Sequence, residues 1–184
     1  MGLFGSGWLR RGTDDGRTTS EVVARWFGWG LGFAFIALVA GCVMVWGTGH
    51  NPARWHVDPL VAKRTGKPND YLVAPEGAAA ARPDRSFAAV AEPPEALFAR
   101  FHEIALAAPR TEIVAGAPAE LFVTYVQRSA VFGFPDYVSV KAVAAPDGAS
   151  LAIWSRSRFG YSDLGVNRAR VERWLAALDE AAPG

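Results

Sequence analysis

The chain has 184 residues, a single cysteine and a formal net charge of +1. One cysteine excludes an intrachain disulfide framework and a cysteine zinc site, and the near-neutral charge leaves no global field to draw in nucleic acid or an acidic partner. With 51% hydrophobic and 20% charged residues, the composition is that of a folded chain with room for one ordinary domain.

Residues 1–25 form a tail carrying Arg10, Arg11, Arg17 and Arg25. Residues 26–46 read WFGWGLGFAFIALVAGCVMVW and contain no charge. At about 1.5 Å rise per residue, a helix of this length covers a hydrocarbon core of about 30 Å. Trp26, Trp29 and Trp46 stand near its ends, where an indole ring suits the headgroup layer. The expectation is a single-pass transmembrane helix, Trp26–Trp46, with membrane lipid as its partner.

Arg25 abuts this run and the next cation after it is Arg54. Arg54, Lys63, Arg64 and Lys67 after the run nearly balance the four arginines before it under the positive-inside rule, and the closeness of Arg25 favours a cytoplasmic tail with the domain outside, as a periplasmic domain of an inner-membrane protein. A cleaved signal fits less well, because Gly47-Thr48-Gly49-His50 offers no A-x-A-like site. Val39-Ala40-Gly41-Cys42 resembles a lipobox, so a lipoprotein anchored at Cys42 is the alternative; the apolar residues that follow, Val43 to Trp46, oppose it. Gly28 and Gly32 form a G-x-x-x-G pattern. That spacing lets two membrane helices approach closely, and a homodimer through this helix stands beside a glycine-rich helix with no partner.

Residues 47–92 are expected to be a connector and an irregular N-terminal part of the domain, with turn signals at Asn51-Pro52, Asp58-Pro59 and Lys67-Pro68. Phe87 and Val90 are candidates for packing on the core. The core domain is placed at residues 93–180. A helix starts after Pro93-Pro94, and Leu97, Phe98, Phe101, Ile104 and Ala105 give it one apolar stripe. Pro109 ends it.

Strand signals follow at 111–115, 121–128, 137–143 and 151–158, with Pro146-Asp147-Gly148 as a turn. A final helix spans about 166–179; Val171, Trp174, Leu175 and Leu178 form its apolar face and Arg168, Arg170, Glu172 and Arg173 the remainder. An antiparallel sheet with one buried face carries both helices there. The fold class is therefore α+β: one N-terminal transmembrane helix plus a small two-layer domain, with an antiparallel sheet and helices on one face.

If the strands at 121–128, 137–143 and 151–158 form a meander, the loops 129–135 and 159–165 share one end of the sheet. That end gathers Arg128, Arg156, Arg158, Tyr161, Asp163, Asn167 and Arg168. It also lies at the start of the last helix, whose free N–H groups favour anions. Arginine grips carboxylate or phosphate with paired hydrogen bonds, so an anionic small molecule or a lipid headgroup is the expected ligand. The competing reading is a structural network in which Asp163 pairs with Arg128, Arg156 or Arg168 and Asn167 or Ser162 caps the helix. Phe132 and Phe134 are expected as core plugs, or as an exposed pair touching a membrane or a partner.

No catalytic residue is assigned. His50, His56 and His102 are isolated and lack metal-ligand spacing, and there is no glycine-rich phosphate loop, so no metal or cofactor is expected. A hydrolase using Asp163 and a nearby serine, such as Ser129 or Ser157, is an alternative with no G-x-S-x-G turn behind it. No aromatic-plus-basic nucleic-acid signature is present.

The motifs Pro109-Arg110-Thr111, Tyr125-Val126-Gln127-Arg128-Ser129, Phe132-Gly133-Phe134-Pro135-Asp136, Ser155-Arg156-Ser157-Arg158 and Tyr161 to Val171 resemble those of the domain of unknown function 1499 family. Arg54-Trp55-His56-Val57-Asp58-Pro59 and Asn69-Asp70-Tyr71 resemble its upstream segment. The resemblance implies a small bacterial protein with a membrane anchor or a lipoprotein signal, and it implies no particular activity. Together these observations point to a binding or interaction module, with the hydrolase and a structural envelope protein dimerising through its membrane helix as alternatives.

Overall fold

A computed structural model describes residues 19–182, which fall into two units divided between Gly41 and Cys42. The expected tail lies, up to residue 18, outside the described residues. Helix α1 runs Thr19–Trp46. Its segment Val23–Trp46 is long and apolar enough to cross a membrane. Gly28 and Gly32 lie one turn apart on α1, and a methyl group added at either would meet nothing within 4 Å.

The second unit is built on a six-stranded sheet of order β2-β1-β6-β5-β4-β3. The strands are β1 (Asp70–Ala74), β2 (Arg85–Ser86), β3 (Thr111–Ala117), β4 (Phe122–Arg128), β5 (Pro135–Ala145) and β6 (Gly148–Ser157). β3 to β6 form an antiparallel meander, as the alternation of apolar and polar residues implies. Ala145 pairs with Gly148, so Pro146-Asp147 makes the tight connection between β5 and β6. The sheet margins are short or broken. β2 has only two residues, and β3 shifts register between Ile113 and Ala115.

Helices α3 (Pro94–Ala107) and α4 (Val166–Glu180) cover one face. Leu97, Phe98 and Phe101 of α3 and Val171, Trp174 and Leu175 of α4 join Tyr71, Val73, Tyr125, Val138 and Ile153 of the sheet in one buried cluster. Each large side chain buried here contributes about 1.5–3 kcal/mol through loss of water contact. Phe87 and Val90 pack against the same cluster. The α+β architecture with helices on one face is thus the one the sequence specifies.

Residues 47–92 hold more than a connector. β1 sits inside the sheet, antiparallel to β6, and residues 52–62 cover the face away from the helices. There the short helix α2 (Pro52–Trp55) delivers Trp55 onto Tyr137 as a stacked pair 3.9 Å apart, and Ala62 packs with Leu72 and Trp154. Asn51 and Asp58 fix the two turns by accepting hydrogen bonds from the Ala53 and Leu60 N–H groups.

Candidate functional site

The two faces of the sheet divide the polar residues. On the helix side, Arg170 is buried, not solvent-facing as its charge suggests. It donates to Asp136 Oδ2 at 2.6 Å, Gln127 Oε1 at 2.6 Å and Ser155 Oγ at 2.9 Å. Asn167, also buried, accepts from Arg170 at 2.7 Å and from Ser155 at 2.6 Å, and donates to Ser157 Oγ and Asp163 Oδ2. Asp163 accepts from the Gly165 and Asn167 N–H groups, each at 2.9 Å, and so caps the start of α4. These side chains are bonded chiefly to one another, which marks the network as a structural lock. Among the described residues Asp163 forms no ion pair with an arginine and no hydrogen bond to a serine; the cap role falls to Asp163 and not to Asn167.

The other face is chemically different. Strand alternation places Trp154, Arg156 and Arg158 together on it. With Arg54, Trp55, Lys63, Lys67, Asn69 and Asp70 they line a groove of about 640 Å³. Five cationic side chains therefore meet one carboxylate. That carboxylate is already engaged: Arg64 Nη2 lies 2.8 Å from Asp70 Oδ1, and Trp154 Nε1 donates to Oδ2 at 2.9 Å. The hydrogen bond to Asp70 holds the Arg64 guanidinium above its ordinary pKa.

Arg156 is the centre of the groove floor. Its guanidinium lies 4.0 Å from the Trp154 ring and 5.7 Å from that of Trp55. It donates to Ser139 Oγ at 3.1 Å, the Trp154 carbonyl at 3.2 Å and the Trp55 carbonyl. All of these acceptors are neutral, and among the described residues no carboxylate forms an ion pair with it. Burial lowers its pKa to about 10, with the Asp70 charge acting in the opposite sense. At neutral pH it remains a buried cation with neutral hydrogen-bond partners and no ion pair, an expensive state.

Arg128 and Arg158 are linked through His50 and Tyr137. Arg128 Nη2 donates to His50 Nε2 at 3.0 Å. Arginine only donates, so the His50 proton lies on Nδ1, directed at Tyr137 Oη 2.9 Å away. Arg158 Nη1 reaches the Gly49 carbonyl at 3.0 Å and Tyr137 Oη at 3.3 Å. Burial, then Arg128 and Arg158, hold the His50 imidazole below its ordinary value of 6.5. Tyr161 is exposed. Arg168 lies over the Tyr71 ring at 6.0 Å and lines a second cavity of about 460 Å³ with Arg64, Asp70, Asp84 and Asp163, where charges of both signs mix.

The seven residues gathered from the sequence thus separate. Arg156 and Arg158 line the basic groove, Arg128 connects to Arg158 through His50 and Tyr137, Tyr161 is exposed, Asp163 and Asn167 lock the helix start, and Arg168 lines the second cavity. Trp55, Arg54, Lys63, Lys67 and Trp154 were not singled out. The signal for the last was present: Trp154, Arg156 and Arg158 recur at a period of two. Among the described residues no group of three or more His, Cys, Asp or Glu could hold a metal ion.

A family model described as a protein of unknown function, DUF1499, matches residues 61–178. The chain belongs to this family. No curated protein matches it. The crystal structure of protein MLL2253 from Mesorhizobium loti is similar to 53% of this chain and 96% of its own length, at 16% identity and a TM-score of 0.39. The DUF1499 match takes in most of the groove, from Val61 to Arg158, whereas Arg54 and Trp55 lie upstream of it.

Proposed function

We propose that this DUF1499 protein is a membrane-tethered, non-catalytic binding module whose basic groove takes an anionic ligand bearing phosphate or carboxylate. The observation that carries this reading is Arg156, a buried cation without a carboxylate partner at the floor of a groove ringed by Arg54, Lys63, Lys67 and Arg158. An anion entering the groove supplies the missing charge, and its oxygens meet donors already held in place by stacking on Trp154 and Trp55. The tether is the segment Val23–Trp46. The proposed orientation, with the domain on the periplasmic side, rests on Arg25 abutting the charge-free run Trp26–Trp46.

The test is thermal unfolding of the full-length protein in neutral detergent, with inorganic phosphate or citrate added. A ligand that binds only the folded form raises the midpoint in proportion to the logarithm of its concentration. A Lys63→Ala/Lys67→Ala/Arg158→Ala variant is expected to lose that increase, while Arg168→Ala, in the other cavity, keeps it. Adding phosphatidylglycerol micelles in place of the soluble anions separates a lipid headgroup from a free solute. No stabilisation of the wild type by any of these probes, or equal stabilisation of the triple variant, overturns the reading.

A further inference from the structure

Beyond Trp46, ten large hydrophobic side chains are exposed among the described residues, and seven of them sit in the loops 129–134 and 158–165 and at the first residue of α4. Val131 is 76% exposed, Leu164 94%, and Phe132, Phe134 and Phe159 are each more than 40% exposed. The three phenylalanine rings form one patch, Phe132 to Phe134 at 5.7 Å and Phe134 to Phe159 at 6.1 Å. Residues 129–135, SAVFGFP, contain no charge. They join β4 to β5, and residues 158–165 join β6 to α4, so both loops belong to one end of the sheet. An exposed apolar patch concentrated at one end marks an interaction surface.

The occupant is indicated by Trp46, which closes the apolar span and packs on this loop. Gly133 is buried with φ of 67°, and a side chain there would collide with the Trp46 indole. The Arg128 guanidinium lies 5.4 Å over the same ring and donates to the Gly133 carbonyl at 3.1 Å and the Val45 carbonyl at 3.4 Å. A residue that ends a membrane span stands at headgroup depth, and the loop seated against it stands there too. We propose that the apolar tip formed by Val131, Phe132, Phe134, Phe159 and Leu164 inserts into the headgroup layer of the same bilayer that holds the span. Phenylalanine and leucine gain by entering the acyl boundary, and the neighbouring Arg128 and Arg158 attract anionic headgroups. The proposal rests on insertion of Val23–Trp46 and is independent of any ligand in the groove.

Spin labels test it in full-length protein reconstituted into phosphatidylcholine–phosphatidylglycerol nanodiscs. In a Cys42→Ala background, single variants Val131→Cys, Leu164→Cys, Val61→Cys and Phe35→Cys are labelled, all at exposed positions where a label leaves the core intact. The expected result is that labels at 131 and 164 collide several-fold more with oxygen than with a water-soluble nickel complex, as the label at 35 in the span does. The label at 61 collides mostly with nickel. A lipid-like label at 35 with water-like labels at 131 and 164 overturns the proposal while leaving the span in place. A water-like label at 35 removes the span and the proposal with it. Shielding of 131 and 164 from both reagents that grows with protein copies per disc means a second copy covers the tip, and this also overturns it.

Discussion

Arg170 and Arg156 are both arginines buried in one sheet, and their surroundings give them opposite meanings. Arg170 meets Asp136 at 2.6 Å and donates to the neutral partners Gln127, Ser155 and Asn167 around it. Removing it by Arg170→Ala leaves Asp136 buried without its cation, which costs about 3–5 kcal/mol; chemical denaturation read by tryptophan fluorescence is expected to show a loss of that size. Replacing both members, Asp136→Leu with Arg170→Met, is expected to recover much of it. Histidine sets the pH response. His50 and His56 are both held below the ordinary value of 6.5, chiefly by burial. The folded chain therefore binds fewer protons than the unfolded chain just below pH 6.5. Their contribution to stability is complete above that pH and is lost as acid carries each through its lowered pKa. The melting midpoint is expected to fall between pH 7 and pH 5, and a His50→Asn/His56→Asn variant is expected to show a shallower fall over the same interval.

At the scale of elements, the start of α4 depends on a residue outside the helix. Asp163 accepts the Asn167 N–H and orients the Asn167 amide toward Ser157. Asp163→Ala is expected to lower stability by about 1 kcal/mol, the usual worth of a helix cap, and hydrogen exchange should quicken in the first turn of α4 before the rest. Elements with a strong local signal were legible in the sequence: α3 and α4 from their apolar stripes, β5 from its alternation and β4 from its β-branched and aromatic content. β1 was not, because Leu72-Val73-Ala74 is a short run buried on both faces and so shows no alternation. Its partner β6 is also more than seventy residues away in the chain. The cover formed by 52–62 has no period to read. Arg170 was assigned to the solvent side because charged residues are seldom buried. Yet Asn167 and Arg170 fall on the same stripe as Val171 and Trp174, at helical spacing, and that register was the available clue. The basic groove was half legible: Arg156 and Arg158 were gathered, but sharing an end of the sheet was allowed to stand for sharing a face.

For the whole molecule, Arg158 is the hinge between two surfaces. It lines the groove, and its guanidinium lies 5.3 Å over the Phe159 ring of the apolar tip. On the two proposals taken together, the groove opens beside the headgroups, so its anion is met at the membrane surface and not in free solution. Proteins held in a bilayer encounter their own copies at high local density, and an open sheet margin is then a hazard. Here one margin is a two-residue strand and the other is interrupted at Ile113–Ala115 and turned by Gly116 at φ of 82°. Neither offers a neighbouring copy a long unbroken run of backbone for strand pairing.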